Sequence, residues 1–116
     1  MGYFKVVNRE NIDMNAEIEK YGTTRVLISD GIRIDRGILK YSVKIQRVLT
    51  PYQLEKIIAE NSMERYIIII SSFIFDSWSL NVLDDLYTVI DKSVCNGSTV
   101  ILEIVGTETV NGNIMV

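Results

Sequence analysis

The stretch "RYIIIIS", Arg65 to Ser71, constrains the fold more than any other part of the chain. Successive side chains on a strand point to opposite faces of the sheet. Four consecutive isoleucines, Ile67 to Ile70, therefore present apolar surface on both faces at once. Such a strand needs cover on both sides, which points to a parallel sheet between layers of helices. "TTRVLIS" (Thr23–Ser29) and "TVILEIV" (Thr99–Val105) have the same mostly apolar character.

The segments between these strands carry helical signals. "GYFKVV" (Gly2–Val7) reads as a strand, rich in aromatic and β-branched residues. Met14, Ile18 and Tyr21 then fall at helical spacing, with Asp13 as a cap and Gly22 as a stop. "VKIQRVL" (Val43–Leu49) is a further strand. The clearest boundary follows it: Thr50 is an N-cap, Pro51 the first helical residue, and Gln53 completes a capping box with Thr50. Leu54, Ile57 and Ile58 make the apolar face of that helix. Another helix starts near Ser79, buries Leu83, Leu86, Val89, Ile90 and Val94, and stops at Gly97. Two readings stand for the region after Ser29. Asp30-Gly31 is either a tight hairpin turn with "IRI" returning antiparallel, or the exit to a loop and a short helix from Asp35 to Leu39; the second is preferred. Asn111-Gly112 marks a C-terminal hairpin within 107–116. The expectation is one α/β domain over residues 1–116: a three-layer sandwich around a mostly parallel central sheet of about five strands, with right-handed crossovers.

Composition agrees with this and narrows the chemistry. A chain of 116 residues, 47% hydrophobic and 23% charged, suits a single globular domain. No apolar run approaches the roughly 20 residues of a membrane-spanning helix, so no membrane partner is expected. Met1 to Asn8 lacks a signal peptide's cationic start and small-residue cleavage site, and the single cysteine, Cys95, suits a reducing compartment. The expected location is cytoplasmic. There is no histidine, which removes the commonest general base and metal ligand. The net charge of −3 does not favour nucleic acid as a partner. The basic cluster Arg33, Arg36, Lys40, Lys44 and Arg47 reads either as a solvated face or as a local anion-binding surface.

In open parallel sheets, ligands bind beyond the carboxyl ends of the strands. Asp30, Ser71 and Asp76 fall there and form a candidate ligand rim. Each also has an ordinary role open to it: a turn with Gly31 for Asp30, a loop or helix entry for Asp76. Ser71 and Ser72 have no histidine to activate them, and Asp84 and Asp85, being adjacent, do not share a helix face. No catalytic, metal or cofactor-binding residue is assigned. Phe73, Phe75 and Trp78 form a candidate partner-binding set. Read as an extended segment, Phe73 and Phe75 share one side, and the three either complete the core or anchor a protein partner.

The order of elements resembles the core of the RecA-type recombinase and ATPase superfamily, in particular archaeal RadA- and RadB-like paralogues. "TRVLISDG" is similar to the family's second core strand, and "VKIQRVLTPYQLEKIIAE" to the strand and helix after it. "ERYIIIISSFIF" resembles the Walker B strand, and "LDDLYTVIDKSVCNGSTVILEI" the next helix and strand. The resemblance covers most of the chain by pattern and implies a RecA-like, Rossmann-like sheet. It also implies a lost nucleotide site. The family's first strand leads into a phosphate-cradling GxxxxGK loop, whereas "NRENIDMN" here has neither glycine nor lysine. Without glycines the backbone cannot form the same anion nest, and Glu10 and Asp13 stand where phosphates would lie. Ser71 replaces the family's magnesium-positioning aspartate and supplies no charge to a hard cation. The family's DNA-contacting and filament-forming segments are expected to be truncated.

Three functions follow in order. The first is a non-catalytic RecA-like interaction or regulatory module that binds protein, as an accessory to DNA repair or signalling. The second is a small-ligand or atypical nucleotide-binding protein at the strand ends. The third is an enzyme using Asp30 or Asp76 with an external metal. A homodimer is expected as well. The Asn111-Gly112 hairpin and the apolar "NIMV" would leave an exposed edge; pairing it with a second copy, or covering it with the aromatic rim at Phe73–Trp78, would put the tail or the rim in the dimer interface, whereas a tail packed on the chain's own sheet would need no partner.

Overall fold

A computed structural model describes residues 2–7, 16, 18, 23–29, 32, 43–61 and 64–106, together with the backbone of 108–110 and 113–115. Five strands form the main sheet: β1 (Phe4–Val7), β2 (Thr24–Ile28), β3 (Val43–Arg47), β4 (Arg65–Ser71) and β5 (Thr99–Val105). Their spatial order is β1-β5-β4-β2-β3, and every neighbouring pair is parallel. The expected sheet is therefore present and wholly parallel. Two short strands, β6 (Glu108–Val110) and β7 (Asn113–Met115), pair antiparallel in a sheet of their own, with Val110 opposite Asn113 across Asn111-Gly112. Asp30, Gly31 and the segment 33–42 lie outside the described residues, as do Asp13, Met14, Tyr21 and Gly22.

β4 is central and covered on both faces, as its sequence requires. Ile68 and Ile70 join Leu27, Tyr66, Val100 and Leu102 on one face. Ile67 and Ile69 join Val26, Ile28 and Ile101 on the other. The first face is roofed by α1 (Pro51–Glu60) and α3 (Leu80–Cys95), which contribute Leu54, Ile58, Leu86 and Ile90. Ile18, in a helical conformation, and Ile32 pack against the second face. The result is a three-layer α/β sandwich.

The helices begin where local chemistry says they should. Thr50 Oγ1 accepts from the Gln53 backbone N–H at 3.2 Å, and the Gln53 side chain accepts from the Thr50 N–H at 3.1 Å. This closes the capping box and satisfies two otherwise orphaned donors. Ser79 caps α3 by accepting from Val82 N–H, and Gly97 takes the left-handed φ of 101° that ends it. Of the expected α3 face, Leu86 and Ile90 are buried, while Leu83, Val89 and Val94 are half-buried.

A polar latch closes the amino end of the sheet. Arg25 pairs with Glu64 through its Nε, and its Nη2 donates to Asn61 Oδ1 at 3.2 Å and Glu64 Oε1 at 3.4 Å. The Glu64 carboxylate holds the Arg25 guanidinium above its ordinary pKa. Asn61 in turn donates to Ile57 O at 2.7 Å, and the Tyr66 hydroxyl donates to Asn61 O. Tyr66 is 0% exposed, and burial, with Glu64 adding to it, pushes its phenol up to about 12.

Candidate functional site

Where two neighbouring parallel strands send the chain to opposite faces, their carboxyl ends open a crevice, the usual ligand position of α/β sheets. The clusters locate it here. After β2 the chain passes through Ile32, on the same face as Ile18. After β4 it enters α3 on the opposite face. β2 and β4 are neighbours, so the crevice lies between Ser29 and Ser71.

The two serines bond to one another there. Ser29 and Ser71 are both 3% exposed. The Ser71 backbone N–H donates to Ser29 Oγ at 3.1 Å, and the Ser29 N–H donates to Ile69 O at 3.0 Å. Ser71 Oγ accepts from Ile74 N–H at 3.2 Å and so caps α2, a short helix of Ser72–Asp76. From the next strand, Arg47 donates through Nη1 to Ser29 O at 3.1 Å and through Nη2 to Ile32 O at 3.4 Å. Arg47, one of the basic cluster, thus clamps the exit of β2. Lys44 is exposed, and Arg33, Arg36 and Lys40 lie outside the described residues.

Two of the three rim residues fall within the described structure. Ser71 is buried and bonded as a cap, Asp76 is exposed at the far end of α2, and Asp30 lies outside the described residues. Among the described residues no three His, Cys, Asp or Glu side chains cluster in a way that could hold a metal ion.

The aromatic set divides. Phe73 and Phe75 sit in α2 rather than on an extended segment, so two residues' separation turns them to different sides instead of one. Phe75 and Trp78 pack against the core under α3 with ring centroids 5.9 Å apart, while Phe73 is 71% exposed. Phe73 is not alone. Of the six exposed large apolar side chains among the described residues, Leu49, Tyr52, Phe73 and Leu80 all lie at the carboxyl edge of the sheet. Leu49 follows β3, Tyr52 is in the first turn of α1, Phe73 follows β4, and Leu80 opens α3.

Sequence reasoning did not single out Leu49, Tyr52 or Leu80. Their signal was present: each stands beside or just after an N-cap, Thr50 or Ser79, at a place where a helix meets the strand ends. It also passed over Glu103, a carboxylate on β5 that is 1% exposed on the same face as Ile101, opposite Val7 and Ile69. A single acid inside "TVILEIV", a strand read as buried, was the available signal. No helix of the described residues is long and apolar enough to cross a membrane. Comparison with protein-family models gives no match to this sequence, and comparison with curated proteins gives none either.

Proposed function

We propose that this chain is a non-catalytic interaction module on a RecA-like core, acting as an accessory or regulatory subunit through a protein partner. One observation carries the reading. At the carboxyl edge, where an α/β protein of this kind would hold a ligand, the buried serines bond to one another and to the backbone, and Leu49, Tyr52, Phe73 and Leu80 are large apolar side chains left exposed among the described residues. Exposed aromatic and aliphatic anchors at a sheet rim suit protein contact, and they offer a phosphate or metal nothing. DNA repair and signalling are the settings the family resemblance suggests. A small ligand at the strand ends is the alternative, and the Ser29–Ser71 hydrogen bond stands in its way.

The test pairs a nucleotide assay with a binding assay. Thermal unfolding in the presence of ATP, GTP and magnesium should leave the melting temperature unchanged, since a ligand selective for the folded form would raise it. A Phe73→Ser, Leu80→Ser double variant should keep its fold and lose protein partners that the unmodified chain retains. Magnesium-dependent hydrolysis that disappears in Asp76→Asn would overturn the reading.

A further inference from the structure

We infer that Asn96-Gly97 is a site of spontaneous chemical modification that the fold holds in check. The pair loses ammonia when the chain opens, and the isoaspartyl product of that reaction cannot rebuild the turn between α3 and β5. Nothing in this depends on the protein-binding reading above.

The reaction needs only water. Gly97 has no side chain to obstruct the approach of its backbone nitrogen to the Asn96 amide. That nitrogen gives up its proton and bonds to the Asn96 side-chain carbonyl carbon. The C–N bond of the side-chain amide then breaks, ammonia leaves, and a cyclic imide remains. Water opens the imide at either carbonyl. Opening at the side-chain carbonyl leaves aspartate on an ordinary backbone. Opening at the main-chain carbonyl leaves isoaspartate, whose backbone runs through the former side chain and is one carbon longer. One water enters, one ammonia departs, and nothing is oxidised or reduced.

The folded turn withholds both things the attack requires, a free Gly97 N–H and the right rotation about the Asn96 Cα–C bond. Asn96 itself is exposed, so water reaches its amide. But the Gly97 N–H donates to Val94 O at 3.0 Å. Ring closure needs the Gly97 nitrogen to eclipse Asn96 Cβ. With ψ at 11° it nearly eclipses the Asn96 backbone nitrogen instead. That ψ is pinned on both sides. The Asn96 N–H donates to Lys92 O and Ser93 O, each at 3.1 Å, and the Ser98 N–H returns to Ser93 O at 2.9 Å. Reaction therefore proceeds through the opened turn, at a rate scaled by the fraction of chains that are open.

The same turn has no slack for the longer product. Gly97 reverses the chain with φ 101°, and Ser98 is fully buried behind it. Gly2 lies so close that a Cβ there would be 1.6 Å from Ser98 O. Thr99 N–H donates to Glu64 O at 3.2 Å and Val100 N–H to Tyr3 O at 2.9 Å, which fixes the start of β5 against the segments leading into both neighbouring strands. An added backbone carbon inserts about 1.5 Å of chain between a helix and a strand that are both held. Aspartate adds only a charge, mildly unfavourable at a helix carboxyl end.

The full chain carrying Asn111→Gln, which removes the other Asn-Gly pair, is aged in mildly alkaline buffer with and without urea. Mass spectrometry of its fragments reads aspartate and isoaspartate at position 96. The folded chain should convert at least about tenfold more slowly than the unfolded one. Once urea is removed, the isoaspartyl fraction should not regain the native melting transition, whereas Asn96→Asp, made directly, should fold. Equal rates in the two buffers would overturn the protection. Isoaspartyl chains that refold to the native melting temperature would overturn the block. An Asn96→Asp chain that fails to fold would assign the damage to charge and overturn the part given to the longer backbone.

Discussion

Replacing Tyr66 by Phe should flatten the alkaline loss of stability, and the structure sets how far. The Tyr66 hydroxyl donates to Asn61 O, within the latch that Arg25 and Glu64 complete. Its phenol lies near 12 in the fold and near 10 in the open chain. A raised folded value means the contribution is whole below pH 10 and disappears as pH climbs from 10 to 12, because the unfolded phenol ionises first. Two units at about 1.4 kcal/mol each give a maximal loss of roughly 2.7 kcal/mol. At neutral pH, Tyr66→Phe should cost about 1 kcal/mol for the lost hydrogen bond, since it leaves the Asn61 carbonyl without that donor. Urea unfolding followed by the fluorescence of the single tryptophan, Trp78, measures both. The difference between wild type and variant should be steady up to pH 10, then shrink and reverse sign toward pH 12. Other tyrosines and lysines titrate in the same range, and the subtraction removes them. Parallel curves across pH 9–12 would refute the reasoning.

Three further outcomes are expected. Gly2→Ala would place its Cβ 1.6 Å from Ser98 O and 2.4 Å from Ser98 C, both backbone atoms, so the start of β1 must shift at a cost of about 1–3 kcal/mol, read as a lowered melting temperature. Trp78→Ala should cost about 2 kcal/mol because the ring is half-buried against the core, whereas Phe73→Ala should stay within about 0.5 kcal/mol; equal effects would mean the two are not divided between core and surface. Sedimentation equilibrium should find a homodimer at tens of micromolar, and a monomer mass unchanged by deleting Thr109–Val116 would refute it.

What was legible in the sequence followed local rules. The Thr50-Pro51-Gln53 box is a contact within four residues and was read correctly from spacing alone. The isoleucine run announced two covered faces, and Leu86 and Ile90 announced their helix. Phe73 and Phe75 were misphased because α2 has only five residues, too few to display a helical period, and because the apolar strand pattern runs straight into it. The latch could not be read at all. Arg25 and Glu64 lie 39 positions apart, and no local pattern marks them as partners. The same holds for Ser71 and Ser29, 42 apart, whose meeting is a product of strand order. Sequence thus placed the crevice among the strand ends, and only topology showed that Ser29 and Ser71 meet there.

The strand order also governs the sequence of events in folding. β1 touches no strand of the main sheet except β5, and Phe4 is paired with Val100. Such a pairing closes nearly the whole chain into one loop, while β2 with β3 and β4 with β5 close far shorter ones. Long closures carry the larger entropic cost and slow the approach to the native state. On the ribosome β1 must wait, apolar and without its β5 neighbour, until residues 99–105 have emerged. Tyr3 and Val6 are exposed even in the finished fold, so this waiting strand is where a nascent chain is most open to wrong pairing or to a chaperone.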